Sequence, residues 1–354
     1  MLLPMKNELF DLVDRLEKDR SLTATEYRRL IDNYDSDLMA YSAEKARLAA
    51  KKHYGNEIYI RGLIEISNFC KNNCFYCGIR KSNGGCKRYR LTKDEILECC
   101  KEGYGLGFRT FVLQGGEDGH FTDELLCDII SEIKGLYPDC AVTLSLGERS
   151  YESYRRLFLS GADRYLLRHE TASKEHYERL HPESMSFEKR MECLKNLKEI
   201  GYQVGCGFMV GSPYQRSEHL AEDLKFIEEF SPHMCGIGPY ITHKDTPFKD
   251  EKNGSVELTL FLLSLIRLIK PTILLPATTA LGTLCTDGRE RGVLSGANVV
   301  MPNLSPHSVR EKYMLYEGKI FAGQESAQCV SDLRQRMKDI GYDVVISKGN
   351  AKGS

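Results

Sequence analysis

The sequence predicts an α/β protein built on a complete (β/α)8 TIM barrel, with an N-terminal helical extension and a C-terminal helix. Eight short, β-rich apolar runs alternate with helical stretches over roughly 250 residues, the length typical of this barrel. Hydrophobic residues fill 42% of the 354 positions, enough for one large core. No low-complexity stretch or long linker divides the chain. Alternation alone fits an open doubly wound sheet equally well, but eight units favour the barrel.

The elements follow in chain order. Residues 6–52 contain two or three predicted helices, and Thr23 and Glu26 form a capping box that begins one of them. Apolar residues at helical spacing predict amphipathic helices between the strands, and the more apolar run 256–269 predicts a buried helix. The predicted strands are 58–66, 110–114, 141–146, 164–170, 202–210, 234–241, 272–279 and 298–302. The predicted division is a helical extension (1–56), the barrel (57–320), and a C-terminal helix with its tail (321–354), the helix lying near 324–340.

Bulk properties exclude several classes of protein. The formal net charge is −1, so nucleic acid is not an expected partner. No apolar run approaches the roughly 18 residues of a membrane span, and the first residues lack the order of a signal peptide. The thirteen cysteines are an odd number in a long chain, which favours a reducing compartment over a disulfide framework. We therefore expect a cytoplasmic protein that contacts no membrane.

The run "NFCKNNCFYCGIR" (68–80) concentrates three thiols at Cys70, Cys74 and Cys77, with the spacing C-x3-C-x2-C. One interpretation is a structural zinc site whose fourth ligand lies elsewhere, with His53 or Cys86 as candidates. The other is an iron–sulfur cluster, which normally takes four thiolates. Three thiolates would leave one iron open to a small molecule, so the missing fourth ligand would itself be a binding site.

The cysteine motif follows directly after the first predicted barrel strand and has an aromatic residue before its third cysteine. In both respects it resembles the cluster motif of the radical S-adenosylmethionine (SAM) superfamily. That resemblance implies one 4Fe–4S cluster bound by Cys70, Cys74 and Cys77, and SAM on the open iron. One electron then cleaves SAM to methionine and a 5′-deoxyadenosyl radical. This is cofactor chemistry, for which the protein supplies placement and exclusion of water.

The resemblance also assigns SAM-binding residues at the carboxyl ends of the strands, where a barrel builds its site. The "QGGE" stretch would meet the SAM amino group, and glycine there would let a ligand approach the backbone. Arg168 and Glu170 lie two positions apart on a predicted strand, so their side chains point to the same face. Without the resemblance, a structural ion pair would explain the two residues equally well. The implied residues are Gln114, Gly115, Gly116 and Glu117 for the amino group, Arg168 and Arg190 for the carboxylate, Glu170 for the ribose, and Tyr76 and Met209 for the adenine.

Five further runs narrow the resemblance to the HydE family of FeFe-hydrogenase maturases. They are "TLSLGE" (143–148), "GADRYLLRHETA" (161–172), "GIGPYITHKDTP" (236–247), "PATTALGT" (276–283) and "GANVVMPN" (296–303). The family implies a radical that attacks the cysteine sulfur of an iron–carbonyl–cyanide–cysteine complex made by the maturase HydG. It also implies an electron donor such as ferredoxin or flavodoxin, HydF as a scaffold partner, and a role in assembly of the hydrogenase H-cluster.

Small neutral donors and one arginine at predicted strand ends are consistent with such an anionic substrate, because they can donate hydrogen bonds to cyanide and carboxylate groups. Thr143 and Ser145 lie two apart on one strand face. The threonines are equally well explained by β-propensity, and the tyrosines by helix packing. The candidate substrate residues are Thr143, Ser145, Arg164, Thr278, Thr279, Asn303, Tyr313 and Tyr316.

Two related enzymes and one unrelated class remain as alternatives. Methylornithine synthase and biotin synthase share the predicted barrel architecture and a similar cluster motif. Biotin synthase also holds a second cluster inside its barrel. Cys206 is the candidate ligand for such a cluster. It lies three positions from Met209 on the same predicted strand, so the two side chains point to opposite faces. If Met209 faces the barrel interior, Cys206 faces the helices and belongs to the core. A zinc-stabilised binding protein is the unrelated class. Some HydE proteins carry three more cysteines for a surface cluster; the matching positions here are Phe321, Cys329 and Asp332, so we expect a single cluster.

Overall fold

The computed structural model describes residues 2–320 and 329–352. Three helices precede the barrel: α1 (Leu2–Asp19), α2 (Ala24–Asp32) and α3 (Ser36–Tyr54). The predicted capping box is confirmed, since Thr23 accepts a hydrogen bond from the Glu26 amide and the Glu26 side chain accepts one from the Thr23 amide.

A six-stranded parallel sheet forms the centre of the molecule, in the order β2-β3-β4-β5-β6-β8. Its strands are β2 (Gly62–Ser67), β3 (Thr110–Gly115), β4 (Ala141–Ser145), β5 (Arg164–Leu166), β6 (Gln203–Cys206) and β8 (Met234–Cys235). The intervening helices are α4 (Lys93–Gly105), α5 (Asp123–Leu136), α6 (Tyr151–Leu159), α7 (Lys174–Leu180), α8 (Phe187–Ile200) and α9 (Ser217–Phe230). Parallel strands need such crossover helices, so the alternation read from the sequence is confirmed.

The sheet is open, so it does not confirm the predicted complete barrel. Within the described residues, the edges of the sheet are linked by isolated parallel bridges rather than by a ladder: Met234 to Leu274, Pro276 to Val299, and Leu63 to Asn303. The predicted seventh strand (272–279) forms no ladder because Pro276 has no N–H to donate and α11 (Thr279–Leu284) begins directly after it.

Two predicted strands are interrupted on the side of the site. The run 202–210 divides into β6 and β7 (Met209–Val210), and the run 234–241 divides into β8 and β9 (Gly238–Pro239). β7 and β9 pair with each other in a separate small sheet. Gly207 lies between β6 and β7 with φ +156°, and a Cβ there would stand 2.1 Å from the Gly236 carbonyl oxygen. This close approach requires glycine.

The first predicted strand (58–66) also divides. β1 (Glu57–Ile60) leaves the main sheet and pairs with β10 (Val299–Val300) and with β11 (Asp343–Val345), a strand that the sequence did not predict. This second sheet lies at the amino-terminal end of the barrel strands, because β1 leads directly into β2.

The remaining helices lie in the second half of the chain. They are α10 (Val256–Ile269), α12 (Gly288–Leu294), α13 (His307–Arg310) and α14 (Val330–Asp339). α10 is buried from residue 259 to 269, as its apolar composition predicts. The C-terminal helix is present as α14 and packs on β11, and residues 324–328 of its predicted span lie outside the described residues. Among the described residues, no helix is long and apolar enough to cross a membrane.

Candidate active site

The three clustered thiols lie at the carboxyl ends of the strands, on a cavity of about 370 Å³. Cys70, Cys74 and Cys77 all line this cavity. The backbone N–H of Glu117 donates to the Cys70 sulfur at 3.4 Å. Burial raises the pKa of the Cys77 thiol to about 12 and holds that of Cys74 well above its ordinary value. Metal binding must therefore displace protons from these thiols.

Arg88 organises the loop that carries the thiols, residues 68–90, which we call the cysteine loop. Its guanidinium donates to four carbonyl oxygens of that loop, those of Asn68, Ile79 (2.7 Å), Arg80 (2.6 Å) and Asn83 (3.4 Å). The Asn68 side chain in turn accepts the Tyr89 N–H at 2.8 Å. These bonds satisfy backbone groups that a loop without secondary structure leaves unpaired. Sequence reasoning did not identify Arg88.

The predicted glycine stretch packs against the cysteine loop. A Cβ on Gly116 would lie 2.2 Å from the Phe69 carbonyl oxygen and 2.7 Å from the Cys70 Cβ. The glycine therefore permits close approach of two backbone segments, which is a different reason from the ligand approach that we expected. Glu117 accepts the Glu148 N–H at 3.0 Å, and its carboxylate pairs with Lys71 at 3.0 Å. Gln114 and Gly115 also line the cavity.

Arg168 and Glu170 face the same cavity, 3.5 Å apart between Nη2 and Oε2. Strand alternation does not explain their common orientation, because β5 ends at Leu166. Instead, Glu170 adopts a left-handed backbone with φ +66°, held by its N–H bond to the Gly207 carbonyl oxygen. Strained residues of this kind concentrate at functional sites.

Several polar atoms of this pair are buried without a hydrogen bond. They are Nε and Nη2 of Arg168 and Oε2 of Glu170, which have no hydrogen-bond partner among the residues that the structure describes. Buried polar groups are almost always hydrogen-bonded. This cradle of orphaned donors and an acceptor therefore fits a polar ligand such as the amino acid and ribose groups of SAM.

Arg190 supports the cradle from α8. Its Nη1 donates to the Arg168 carbonyl oxygen and its Nε to Glu148 Oε1, both at 2.6 Å. Arg190 also lines the cavity. Two of its nitrogens are thus engaged with protein groups, so it positions Arg168.

A buried histidine–aspartate pair lies behind Glu170. His169 Nε2 lies 3.1 Å from Asp223 Oδ1, and the same oxygen accepts the Ala172 N–H at 2.6 Å. The Gly207 N–H donates to His169 Nδ1 at 3.2 Å. Burial lowers the pKa of His169 to about 3, so the ring is neutral with its proton on Nε2. The pair therefore fixes the backbone on both sides of Glu170, a role that the sequence did not suggest.

An apolar wall completes the part of the cavity nearest the thiols. Tyr76 and Met209 line it together with Tyr240, and the three belong to one small hydrophobic cluster. The Tyr76 hydroxyl lies 3.2 Å from His181 Nε2, which fixes the ring. Flat apolar surface of this kind suits an aromatic base. Cys206 and Met209 were predicted to point to opposite faces of one strand, but that strand is interrupted between them. Cys206 is nevertheless fully buried in the core, as predicted.

Five of the predicted substrate residues line the cavity: Ser145, Thr278, Thr279, Tyr313 and Tyr316. Thr278 Oγ1 is buried and has no hydrogen-bond partner within the described part of the chain. Thr143 faces inward at a deeper level, in a separate pocket of about 20 Å³ beside Arg61. Its position on the same strand face as Ser145 agrees with the alternation, but it lies below the main cavity.

Arg164 and Asn303 lie outside the main cavity, so their expected contact with substrate is not supported. Arg164 is the first residue of β5 and so lies at the opposite end of the strand. Its guanidinium donates to the Lys348 carbonyl oxygen (2.7 Å) and to Asn350 Oδ1 (2.6 Å), binding the C-terminal tail. The Asn303 side chain donates to Glu65 Oε2 at 3.0 Å and orients that carboxylate.

A buried ion pair on the cavity wall was missed by the sequence reasoning. The Lys319 ammonium donates to Glu65 Oε1 and, at 2.9 Å, to the Tyr313 carbonyl oxygen. Their side chains are 5% and 0% exposed, and both residues line the cavity. Glu65 stands within the otherwise apolar strand "GLIEIS", and a charge in such a run was the available signal.

Comparison with known proteins places this geometry in a family. The Radical SAM superfamily model matches residues 64–227. The FeFe hydrogenase maturase subunit HydE of Thermotoga maritima is 41% identical over 331 residues, covering 94% of each chain. The chain belongs to the HydE family. It is a radical SAM enzyme of the HydE type, and this family implies a 4Fe–4S cluster, SAM, and a role in hydrogenase maturation alongside other maturation proteins.

More distant relatives share the fold. The 3-methylornithine synthase of Methanosarcina acetivorans is 27% identical over 84% of this chain and 83% of its own. A crystal structure of methylornithine synthase superposes with a TM-score of 0.83 at 25% identity, covering 94% of this chain and 97% of its own. A structure of the maturase HydG gives a TM-score of 0.79 at 21% identity, covering 95% of this chain and 75% of its own, which shows a common fold only.

The zinc alternative gains no support from the geometry. Among residues 2–320 and 329–352, no group of three or more His, Cys, Asp or Glu side chains is arranged to hold a single metal ion. Of the proposed fourth ligands, neither Cys86 nor His53 lines the cavity on which the three thiols lie. Of the positions compared for a surface cluster, Phe321 lies outside the described residues, and Cys329 and Asp332 lie at the start of α14.

Proposed function

We propose that this chain uses the cavity to generate a 5′-deoxyadenosyl radical that attacks the cysteine sulfur of an iron–carbonyl–cyanide–cysteine complex supplied by HydG. The product would enter assembly of the hydrogenase H-cluster, with HydF as a scaffold partner. The observation that carries the proposal is one cavity lined by three thiols and by an arginine–glutamate pair with orphaned polar atoms.

The cluster held by Cys70, Cys74 and Cys77 would supply the electron for SAM cleavage. The residues of the chain then bind and orient. Arg168 and Glu170 would bind the polar groups of SAM. Both line the cavity, and Nε and Nη2 of Arg168 and Oε2 of Glu170 make no hydrogen bond within the described residues.

The apolar wall of Tyr76, Met209 and Tyr240 would hold the adenine and exclude water from it. Farther along the cavity, Thr278 Oγ1 is a free donor for a cyanide or carboxylate group of the substrate. Lys319 and Glu65 add a buried ion pair, with no net charge, to the same wall.

The test measures SAM cleavage and the identity of the substrate separately. Anaerobically reconstituted protein should cleave SAM with dithionite, and addition of the HydG product should yield an adduct of 5′-deoxyadenosine with the complex. Lysine in place of that product tests the methylornithine synthase alternative. Turnover of lysine, with no adduct from the HydG product, would refute the maturase assignment and keep the radical chemistry.

Cys74→Ser should abolish cluster assembly, because two thiolates do not hold a cluster with one open iron. Cys86→Ser is the matched control, since Cys86 belongs to the same loop but lies outside the cavity. Iron and sulfide analysis with the visible spectrum is the measurement. Full iron content and full SAM cleavage in Cys74→Ser would contradict the ligand assignment.

A further inference from the structure

The cysteine loop is strongly basic, although the whole chain has a net charge of −1. Residues 68–90 contain six cationic side chains and no acidic one. The six are Lys71, Arg80, Lys81, Lys87, Arg88 and Arg90. The segment that carries the three thiols therefore has a local formal charge of +6 from its six Lys and Arg residues, within a chain whose net charge is −1.

The structure separates the cations that hold the loop from those that face solvent. Arg88 is engaged with the loop carbonyls, as described above. Lys71, Lys81, Lys87 and Arg90 are exposed. Acidic partners of two of them are sequestered: Glu117, which pairs with Lys71, and Asp118, which pairs with Arg90, have side chains only 9% and 4% exposed. Solvent therefore meets the cations of these pairs rather than the carboxylates.

Lys81 and Lys87 make the largest uncompensated contribution to this surface. Neither is among the ion pairs found in the described residues, and the cysteine loop itself offers no carboxylate. Both lie within ten residues of Cys77 in the chain. A positive potential is thus centred on the outer side of the metal-binding loop.

A chain of aromatic contacts leads from the cysteine loop through the interior to Tyr214. Phe75, between Cys74 and Tyr76, is half-buried, and the Arg80 guanidinium lies 5.9 Å from its ring centroid. Phe75 packs edge-on against Phe248 at 6.1 Å, and Phe248 packs against Tyr214 at the same distance. Tyr214 is 52% exposed.

We propose that the outer face of the cysteine loop, centred on Lys81 and Lys87, is the docking surface for an acidic one-electron donor protein. The inference rests on the proposed function, which requires an electron at the three thiols. The reduced donor loses one electron, the metal centre behind the loop gains it, and no bond forms or breaks. Docking here places the donor against the segment that bears all three metal ligands.

The chemistry of the surface selects the kind of partner. A donor with a negative patch is attracted by the loop, and steering of this kind raises association rates by about 10- to 1,000-fold at low ionic strength. Redox complexes are typically small and transient, and therefore depend on charge more than on buried area. At 0.15 M salt the screening length is about 8 Å, so the effect should weaken steeply as salt is added.

The test uses the reconstituted holoenzyme and a flavodoxin of net negative charge. The variant is Lys81→Glu/Lys87→Glu, since neither lysine lines the cavity. The matched control is Lys52→Glu/Lys338→Glu, which changes the net charge equally at exposed positions on α3 and α14, the elements that adjoin β1 and β11 at the other end of the strands.

Two readouts are measured for all three proteins. Flavodoxin affinity by calorimetry at 50 and 500 mM salt should fall about tenfold or more in the loop variant at low salt, and the three proteins should converge at high salt. SAM cleavage should fall in parallel with reduced flavodoxin as the donor, while cleavage with dithionite stays at the wild-type rate.

Equal affinities for the loop variant and the control variant would overturn the docking surface. Weaker affinity with undiminished flavodoxin-supported cleavage would also overturn it, because the loop would then bind an acidic protein for another purpose. Absence of dithionite-supported cleavage in the wild-type protein would instead refute the proposed function, so the two failures are distinct.

Discussion

Removal of the Lys319 ammonium tests the buried ion pair on the cavity wall. In Lys319→Met, Glu65 stays in place with a fully buried side chain and keeps one side-chain partner, the Asn303 amide at 3.0 Å. Methionine is close to lysine in length and fills the same space without charge. The variant therefore leaves a carboxylate buried without its cation, rather than leaving a cavity.

The expected cost follows from this geometry. Removal of one partner of a buried ion pair destabilises proteins by about 3–5 kcal/mol, because the other charge remains desolvated. We expect about 3 kcal/mol here, since Asn303 still donates to Glu65. The double variant Glu65→Gln/Lys319→Met removes both charges and keeps an acceptor for Asn303. It should cost about 1 kcal/mol, so the two substitutions should be non-additive by about 2 kcal/mol or more.

The assay is urea denaturation of the metal-free protein, followed by far-UV circular dichroism because the chain contains no tryptophan. The wild type, both single variants and the double variant form a double-mutant cycle at pH 7. A cost below 1 kcal/mol for Lys319→Met, or additive single costs, would refute the reasoning. Either result would mean that the pair is solvated or that other groups neutralise Glu65.

The remaining predictions concern the cradle and the buried histidines. Glu170→Ala should weaken SAM binding about 10- to 100-fold in the cluster-loaded protein, the equivalent of about 1.5–3 kcal/mol for a hydrogen bond to a charged group. Glu170→Gln should lose less affinity. Unchanged affinity of Glu170→Ala for SAM by calorimetry would remove Glu170 from the site. Burial lowers the folded-state pKa of His181 to about 3 and that of His176 to about 4, below the ordinary value of 6.5. Since the unfolded chain binds more protons between these values, stability should be full above pH 6.5 and decline toward pH 4, by up to about 1.4 kcal/mol per pH unit for each histidine. His176→Gln should reduce that slope by about one proton, and a flat urea midpoint between pH 7 and pH 5 would contradict the neutral assignments.

Local features of the fold were readable from the sequence because they depend on neighbouring residues. The capping box at Thr23 and the buried helix 256–269 depend on side chains within a turn or two of each other. The alternation of strands and helices was equally clear. The closure of the sheet was not, because hydrogen-bond ladders depend on how Pro276 and the strand breaks are placed in three dimensions.

The candidate site divides in the same way. The spacing of Cys70, Cys74 and Cys77 along one loop is a property of the chain, and so is the position of the glycine stretch after its strand. The orientation of Arg168 and Glu170 into one cavity depends on the left-handed backbone at Glu170, which no periodicity encodes. Arg164 was misplaced because alternation gives the face of a strand but not the end at which a residue lies.

The sequence alone determined the chemistry that this protein can perform, since three closely spaced thiols and the runs shared with a known family are visible in one dimension. Only the tertiary structure decided which polar groups share the cavity. Glu65 and Lys319 are separated by 254 positions, and His169 and Asp223 by 54. Such pairs form because desolvation requires each buried polar or charged group to find a partner in space, and that requirement sets no fixed spacing along the chain.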